Sequence, residues 1–290
     1  MPAPANIIDA AAVDKSLSQE FVRNFKNDFD RLAEIIGVFG GAEVRQAGAA
    51  INQFKIDGTL NAEAYVEGAE VGLSKYTVRA THIAELAAKP YRKMTTAAAI
   101  MKAGYEKAVV DTDAKMLSQV RAAVIGDFFT FLGNGTGTAK GATVQAALAV
   151  GDATLLDTME TNSDATDAPI IHFMNRQDAA AYLGSATITD QSLFGMTYLE
   201  NFLGVTNVFL TNKVAQGTVY MTPANNIKVY GVDFTALANG GLVYEQDGNG
   251  LIGVHHSGAY DHFSAATDIA VGAQFVPEIT DYIVKTTIGE

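Results

Sequence analysis

The spacing of apolar side chains changes several times along this chain, and each change predicts a different element. Between Ser16 and Ile36, the residues Leu17, Phe21, Phe25, Phe29, Leu32 and Ile36 recur every three or four positions. That spacing draws one apolar stripe along a helix. Glu20, Arg23, Lys26 and Asp30 fill its other faces; Ser16 can cap its start, and Gly37 with Gly40 and Gly41 ends it. Such a helix packs either in its own core or, as an arm, on a neighbouring subunit.

Over 51–90 the period falls to two. Ile51, Gln53, Lys55 and Asp57 alternate with Asn52, Phe54 and Ile56, and Thr77, Arg79 and Thr81 alternate with Val78, Ala80 and His82. These read as two strands. The segment between them, 58–74, is rich in Gly, Ala, Glu and Asn. Two arms of about 17 residues at roughly 3.3 Å each would reach ~55 Å. A two-stranded ribbon of that length is marginal in water by itself, so it must lie on something, and a neighbouring subunit is the expected surface.

A helical period returns from Thr96 to Leu132, through Met101, Tyr105, Ala108, Val109, Met116, Val120, Val124, Phe128 and Phe131, with no proline. One uninterrupted helix here would span ~55 Å, the proportions of a spine. Gly104 and Gly126 are the places where it can bend. The run 133–141, Gly-Asn-Gly-Thr-Gly-Thr-Ala-Lys-Gly, stops it. A phosphate loop would follow a strand and need Ser or Thr after its lysine; this run follows a helix and places Gly141 after Lys140. It is expected to be a flexible hinge, with Gly133, Gly135, Gly137 and Gly141 as its pivots.

Beyond Thr143 the elements become short and mixed. Helices are predicted over 143–160 and 176–183, and strands over 169–175, 205–210, 218–222, 227–231 and 279–288. The turn Asp247-Gly248-Asn249-Gly250 predicts a hairpin between 243–245 and 251–255. There is no regular βαβ alternation, so the class is α+β.

Composition adds three limits. The chain is 48% hydrophobic and 18% charged, the balance of a folded protein. It has no cysteine, which excludes disulfides, thiolate metal sites and cysteine nucleophiles. Residues 144–290 hold four basic and sixteen acidic side chains, which accounts for the whole net charge of −12. Such a half repels phosphates; it is either simply soluble or able to sit near packed nucleic acid without gripping it. The segment 1–6 has no basic residue and no apolar run of membrane length follows, so no membrane partner is expected, and the protein is expected to be made in the cytoplasm.

Candidate chemistry is sparse. His255, His256, Asp261 and His262 form the densest set of metal-type ligands, but on a strand His255 and His256 point to opposite faces. Surface or interface histidines are the expectation. Asp152, Asp157, Glu160, Asp164 and Asp167 lack a calcium-loop pattern and read as a solvated turn. No nucleophile elbow or dinucleotide fingerprint occurs. No catalytic residue, metal or cofactor is expected.

The order of parts resembles one family: the fold shared by tailed-bacteriophage major capsid proteins, herpesvirus capsid floors and encapsulins. Glu67-Gly68-Ala69-Glu70-Val71 resembles the rising side of that family's extended loop, and Tyr76 to Lys89, before Pro90, its falling strand. Phe131 to Gly137 resembles the end of the spine helix, Ile170 to Asn175 an axial-domain strand, and Phe275-Val276-Pro277-Glu278 the closing peripheral strand. The resemblance implies an N-terminal arm over 1–50, an extended loop over 51–90, a peripheral domain with its spine helix over 91–141, an axial domain over 142–248 and a return to the peripheral domain over 249–290. It implies assembly contacts from Phe54, Ile56, Tyr65, Glu67, Glu70, Lys75 and Arg79 on the loop and from Phe21 and Phe25 on the first helix. The implied partners are copies of the chain in pentamers and hexamers, a portal, a separate scaffolding protein, and double-stranded DNA enclosed without sequence-specific binding in a virion. An encapsulin-type compartment around a cargo enzyme is the alternative. Lys75 lies where some members form a covalent crosslink, and none is expected here.

Overall fold

The computed structural model describes residues 10–36, 42–63, 67–68, 70–164, 167–183, 191–193, 196–202 and 205–289, with the side chains of 10–12, 31–36, 183, 191–193, 197–202 and 205–207 outside the description. Gly37, Gly40, Gly41 and Tyr65 therefore lie outside the described residues. The chain runs α1 (Ala10–Ile36), β1 (Glu43–Arg45), β2 (Ala50–Thr59), β3 (Lys75–Glu85), β4 (Lys89–Thr96), α2 (Ala97–Ala103), α3 (Asp111–Leu132), β5 (Gly137–Gly141), α4 (Val144–Thr161), β6 (Ile170–Asn175) and α5 (Arg176–Leu183). It continues through β7 (Gln191–Leu193), β8 (Met196–Phe202), β9 (Val205–Thr211), β10 (Thr218–Pro223), β11 (Ile227–Val232), β12 (Glu245–Gln246), β13 (Ile252–Ala259), β14 (Ser264–Val271), β15 (Gln274–Pro277) and β16 (Val284–Ile288).

The expected spine is not one helix. Thr96 caps α2 by accepting from the Ala99 N–H, and the helix stops at Gly104, whose φ of +82° is a state that side chains resist. A π-helical turn, Glu106–Val110, then leads into α3. Such a turn disturbs the regular ladder, and β4 reaches the carbonyls there: Lys93 Nζ donates to Val109 (3.1 Å) and Thr95 Oγ1 to Ala108 (3.4 Å). The regular α-helical part is thus α3 alone, 22 residues or ~33 Å.

The glycine run is not a free linker. Residues 137–141 form β5, paired in parallel with β16 from Gly137↔Val284 to Gly141↔Ile288. A Cβ at Gly135 would meet Ile283 at 2.5 Å, and one at Gly141 would meet the Ala147 backbone nitrogen at 2.3 Å. These glycines let strand, helix and turn touch, which is the opposite of a pivot. The expected pivots Gly137 and Gly141 thus lie on a paired strand and Gly135 in a close turn, while Gly133 is the helical C-cap of α3, with φ −63°.

The largest sheet has the order β5-β16-β10-β6-β9-β8-β7, so it takes strands from 91–141, 142–248 and 249–290 alike. The closing strand β16 belongs to it, between β5 and β10. A second sheet, β12-β13-β14-β4, is antiparallel, and a small one joins β1-β11-β15. One aromatic row fastens these parts together. Phe29 stacks on Phe275 (4.8 Å between ring centres), Phe275 meets Phe128 (5.6 Å), Phe128 meets Phe173 (5.2 Å), and Phe173 stacks on Phe209 (5.4 Å). Phe21 and Phe25 belong to the same core, with Phe25 fully buried. They are not assembly contacts, because α1 lies on β13 and α3 of its own chain.

The glycine packing predicts a contrast. Gly141→Ala should lower stability by ~2 kcal/mol or more, because backbone must move to admit the methyl group, whereas Gly133→Ala, at ordinary contact distance and helical φ, should fall within ~1 kcal/mol of the parent. Chemical denaturation of the two variants side by side checks this.

Candidate assembly surface

The β2–β3 hairpin projects a surface that its own subunit does not cover. Its register places Phe54 opposite Ala80, Ile56 opposite Val78 and Gly58 opposite Tyr76. Directly paired residues share a face, so these apolar groups form one side of the ribbon. Phe54 is 58% exposed, Ile56 65%, Tyr76 60% and Val78 62%. Leu60, Val71 and Leu73 continue the exposed apolar surface toward the tip. The paired length is ten residues on β2, shorter than expected, and beyond Thr59 the chain is joined across the tip by the Asn61 N–H donating to Ser74 Oγ (3.0 Å).

The opposite side of the ribbon is polar. Lys55 faces Arg79, Asp57 faces Thr77 and Thr59 faces Lys75. Two cations directly across a strand pair repel, and each has its own carboxylate: Arg79 Nε lies 3.8 Å from Asp57, and Lys55 Nζ donates to Asp281 Oδ2 at 3.2 Å. Glu67 and Glu70 are exposed near the tip. At the root, Ile51 and Leu86 are buried against Val232, Phe234, Ala270 and Val276. Thr280 Oγ1 also donates to the buried Gln53 (3.2 Å). The structure thus brings Phe54 and Ile56 to one face and Lys75 and Arg79 to the other. It adds Tyr76, Val78 and Asp281, which the sequence reading had not selected. Strand register identifies the first two; only the fold brings Asp281 beside Lys55.

A buried polar network clamps α1 from the other side of the body. Ser18 Oγ lies 2.7 Å from His256 Nδ1 and accepts from the His256 N–H (3.1 Å), while His256 Nε2 meets Asp113 Oδ2 at 3.1 Å. Lys93 Nζ donates to Asp113 Oδ1 at 2.6 Å. His256 is buried, which corrects the expectation of a surface histidine; His255, on the other face of β13, is exposed. Burial pushes the Asp113 carboxyl upward, but the hydrogen bonds and charges of His256 and Lys93 outweigh it and hold Asp113 below the usual carboxylate range. Ser, His and Asp in contact resemble a hydrolytic triad in composition, but here the serine hydroxyl is itself buried and donates to the Asp14 carbonyl (2.9 Å). Asp152 and Asp164, read from sequence as solvated, are also engaged: Asp152 meets the buried His172 (2.7 Å), and the Tyr282 hydroxyl donates to Asp164. Burial, followed by that bond, pushes Tyr282 up to about 12. Among the described residues no group of three metal-type ligands converges and no helix is long and apolar enough to cross a membrane.

Solved structures show what this arrangement is similar to. The cyanophage A-1(L) capsid protein superposes with a TM-score of 0.55 at 12% identity, covering 89% of this chain and 93% of that one. The capsid protein of an empty GTA particle gives 0.53 at 11% identity, over 100% and 95%. The encapsulin of Synechococcus elongatus gives 0.52 at 11% identity, over 88% and 86%. The chain therefore has the α+β fold of these capsid and encapsulin shells. No family model matches it, and no curated protein matches it in sequence.

The Asp113 network carries a pH prediction. Asp113→Asn should cost ~3 kcal/mol near neutral pH, because it removes the carboxylate from a largely buried Lys93. A carboxyl held below its unfolded value contributes fully above about pH 4 and loses that contribution as pH falls through the folded pKa. The gap between parent and variant should therefore close in acid. Urea titrations at neutral pH and below about pH 3 measure it.

Proposed function

We propose that this protein is a structural shell subunit, the major capsid protein of a tailed double-stranded DNA bacteriophage, and that it acts by geometry and not by catalysis. The observation that carries the reading is the hairpin: a ribbon with a buried root whose apolar face, Phe54, Ile56, Tyr76 and Val78, is mostly left in solvent by its own chain. Exposed apolar surface of this continuity marks an interaction site. A contact between the arm of one subunit and the body of the next is heterologous, and such contacts close into rings when the rotation closes. Pentamers and hexamers of this chain are the rings intended.

In this reading the four-stranded sheet with α1 and α3 is the stiff peripheral body, and the seven-stranded sheet with α4 and α5 forms the axial body that meets its copies around each ring. Lys75, Arg79, Glu67 and Glu70 supply polar contacts at the rim of the arm. The acidic excess of 144–290 supports a genome as content, because a surface of that sign does not trap phosphates. A portal and a separate scaffolding protein complete the assembly, and the virion is its location. The likeness to an encapsulin supports a second reading, a compartment around a protein cargo.

Electron microscopy of the purified chain tests the proposal. Closed particles are expected, and a monomer at every salt and scaffold condition would overturn it. The double variant Ile56→Asp, Val78→Asp should stay folded, with stability within ~0.5 kcal/mol of the parent as befits exposed positions, and should form no particles. Nucleic acid inside particles recovered from cells supports the capsid reading; a single enriched protein supports the compartment.

A further inference from the structure

The root of the hairpin is held by two kinds of contact, and only one kind can be undone without unfolding anything. Ile51, Leu86 and Gln53 are buried, and they fix the point about which the ribbon leaves the body. Two residues further out, the Lys55 ammonium reaches Asp281. The other oxygen of Asp281 accepts from Thr136 Oγ1 at 2.9 Å. Thr136 closes the turn after α3, and its N–H donates to the Thr280 carbonyl (3.4 Å). Asp281 thus joins the ribbon, the end of α3 and the start of the last strand. The next residue, Tyr282, bonds Asn162 (3.1 Å) and Asp164 at the end of α4.

We propose that Asp281 is the positioning residue that sets the tilt of the hairpin relative to α3. The inference rests on the reading of the hairpin as an assembly arm, but its mechanism lies within one subunit. The charge pattern explains why the residue is needed. Lys55 and Arg79 face each other on the ribbon, and Asp57 serves Arg79. Without a carboxylate from the body, Lys55 is an uncompensated cation beside another. With Asp281, the same charge draws the ribbon down onto the turn 280–282. The Lys55–Asp281 pair is partly solvated, 46% and 33% exposed, so it biases the tilt and does not lock it. It is also open to screening by salt. Leverage makes a weak bias matter: the six residues beyond Gln53, to Thr59, ~20 Å long, move Thr59 by about 3.5 Å for a tilt of roughly 10°.

The absence of cysteine allows a direct test. Spin labels are placed at Thr59→Cys on the arm and Lys115→Cys on the exposed side of α3, and their distance distribution is measured by pulsed electron paramagnetic resonance on the dilute, unassembled subunit. The parent should give one narrow distribution. Lys55→Met and Asp281→Asn, which remove only the charge pair, should broaden it and shift its mean by up to about 3.5 Å, the lever displacement at Thr59. Asp281→Ala, which also frees Thr136, should broaden it further, and Asp281→Glu should restore a narrow peak. Salt at about 1 M, where screening acts within ~3 Å, should turn the parent profile into that of Lys55→Met and leave Lys55→Met itself unchanged. An unchanged distribution in Lys55→Met and Asp281→Asn overturns the proposal, whether or not the chain forms particles. Failure of the parent to form particles, with the distance shifts present, instead overturns the assembly reading and leaves the positioning role standing.

Discussion

The row of phenylalanines from Phe29 through Phe275, Phe128 and Phe173 to Phe209 is the interaction on which the rest of the structure depends. It crosses from α1 to β15, to α3, and on to β6 and β9 of the large sheet. Each such contact adds roughly 0.5–1.5 kcal/mol beyond its buried area, but placement matters more than the sum. The row joins α1, α3, the small sheet and the large sheet in one packed core. Only a body of that kind gives a projecting ribbon a fixed base, since packed interiors transmit strain and do not absorb it.

The polar contacts sort by burial around that core. The Ser18–His256–Asp113–Lys93 network is enclosed and ties α1, β13, α3 and β4 in one place. Losing one member leaves a charge stranded, so its role is to hold one arrangement. The pairs at the hairpin are half in water and individually weak. They suit a part whose tilt is biased and not locked. Stiffness and compliance in this molecule thus follow from how far each charge lies from solvent.

Much of this was legible in the sequence. Alternation at 51–57 and 77–82 located the ribbon, because a period of two over a strongly polar segment has few other solutions. Thr143 marked the start of α4, whose cap accepts from the Ala146 N–H (3.2 Å). Three features escaped for physical reasons. The helical period through 96–132 persists across Gly104, so periodicity could not reveal a break made by one backbone angle. The glycines at 135–141 looked flexible, because a sequence shows a missing side chain but not the strand or helix that takes its place. Phe21 and Phe25 carried the same stripe whether they faced their own core or a neighbour's, and burial alone separates the two. In the candidate surface, Phe54 and Ile56 could be chosen from alternation, whereas Asp281 lies 226 residues from its partner Lys55 and carries no local signal.

The unequal faces of the ribbon also limit how it could meet a copy of itself. Two-stranded ribbons with open edges are templates for runaway stacking. Here Lys55, Lys75 and Arg79 lie along one side and the apolar groups along the other. If two such ribbons met through their apolar sides, Lys75 and Arg79 would lie on the outer surface, while Lys55 stays on Asp281 of its own body. Like charges that face each other across a strand pair repel, so the exposed cations on the back of the arm would oppose a further layer and leave the apolar side as the one open to a contact.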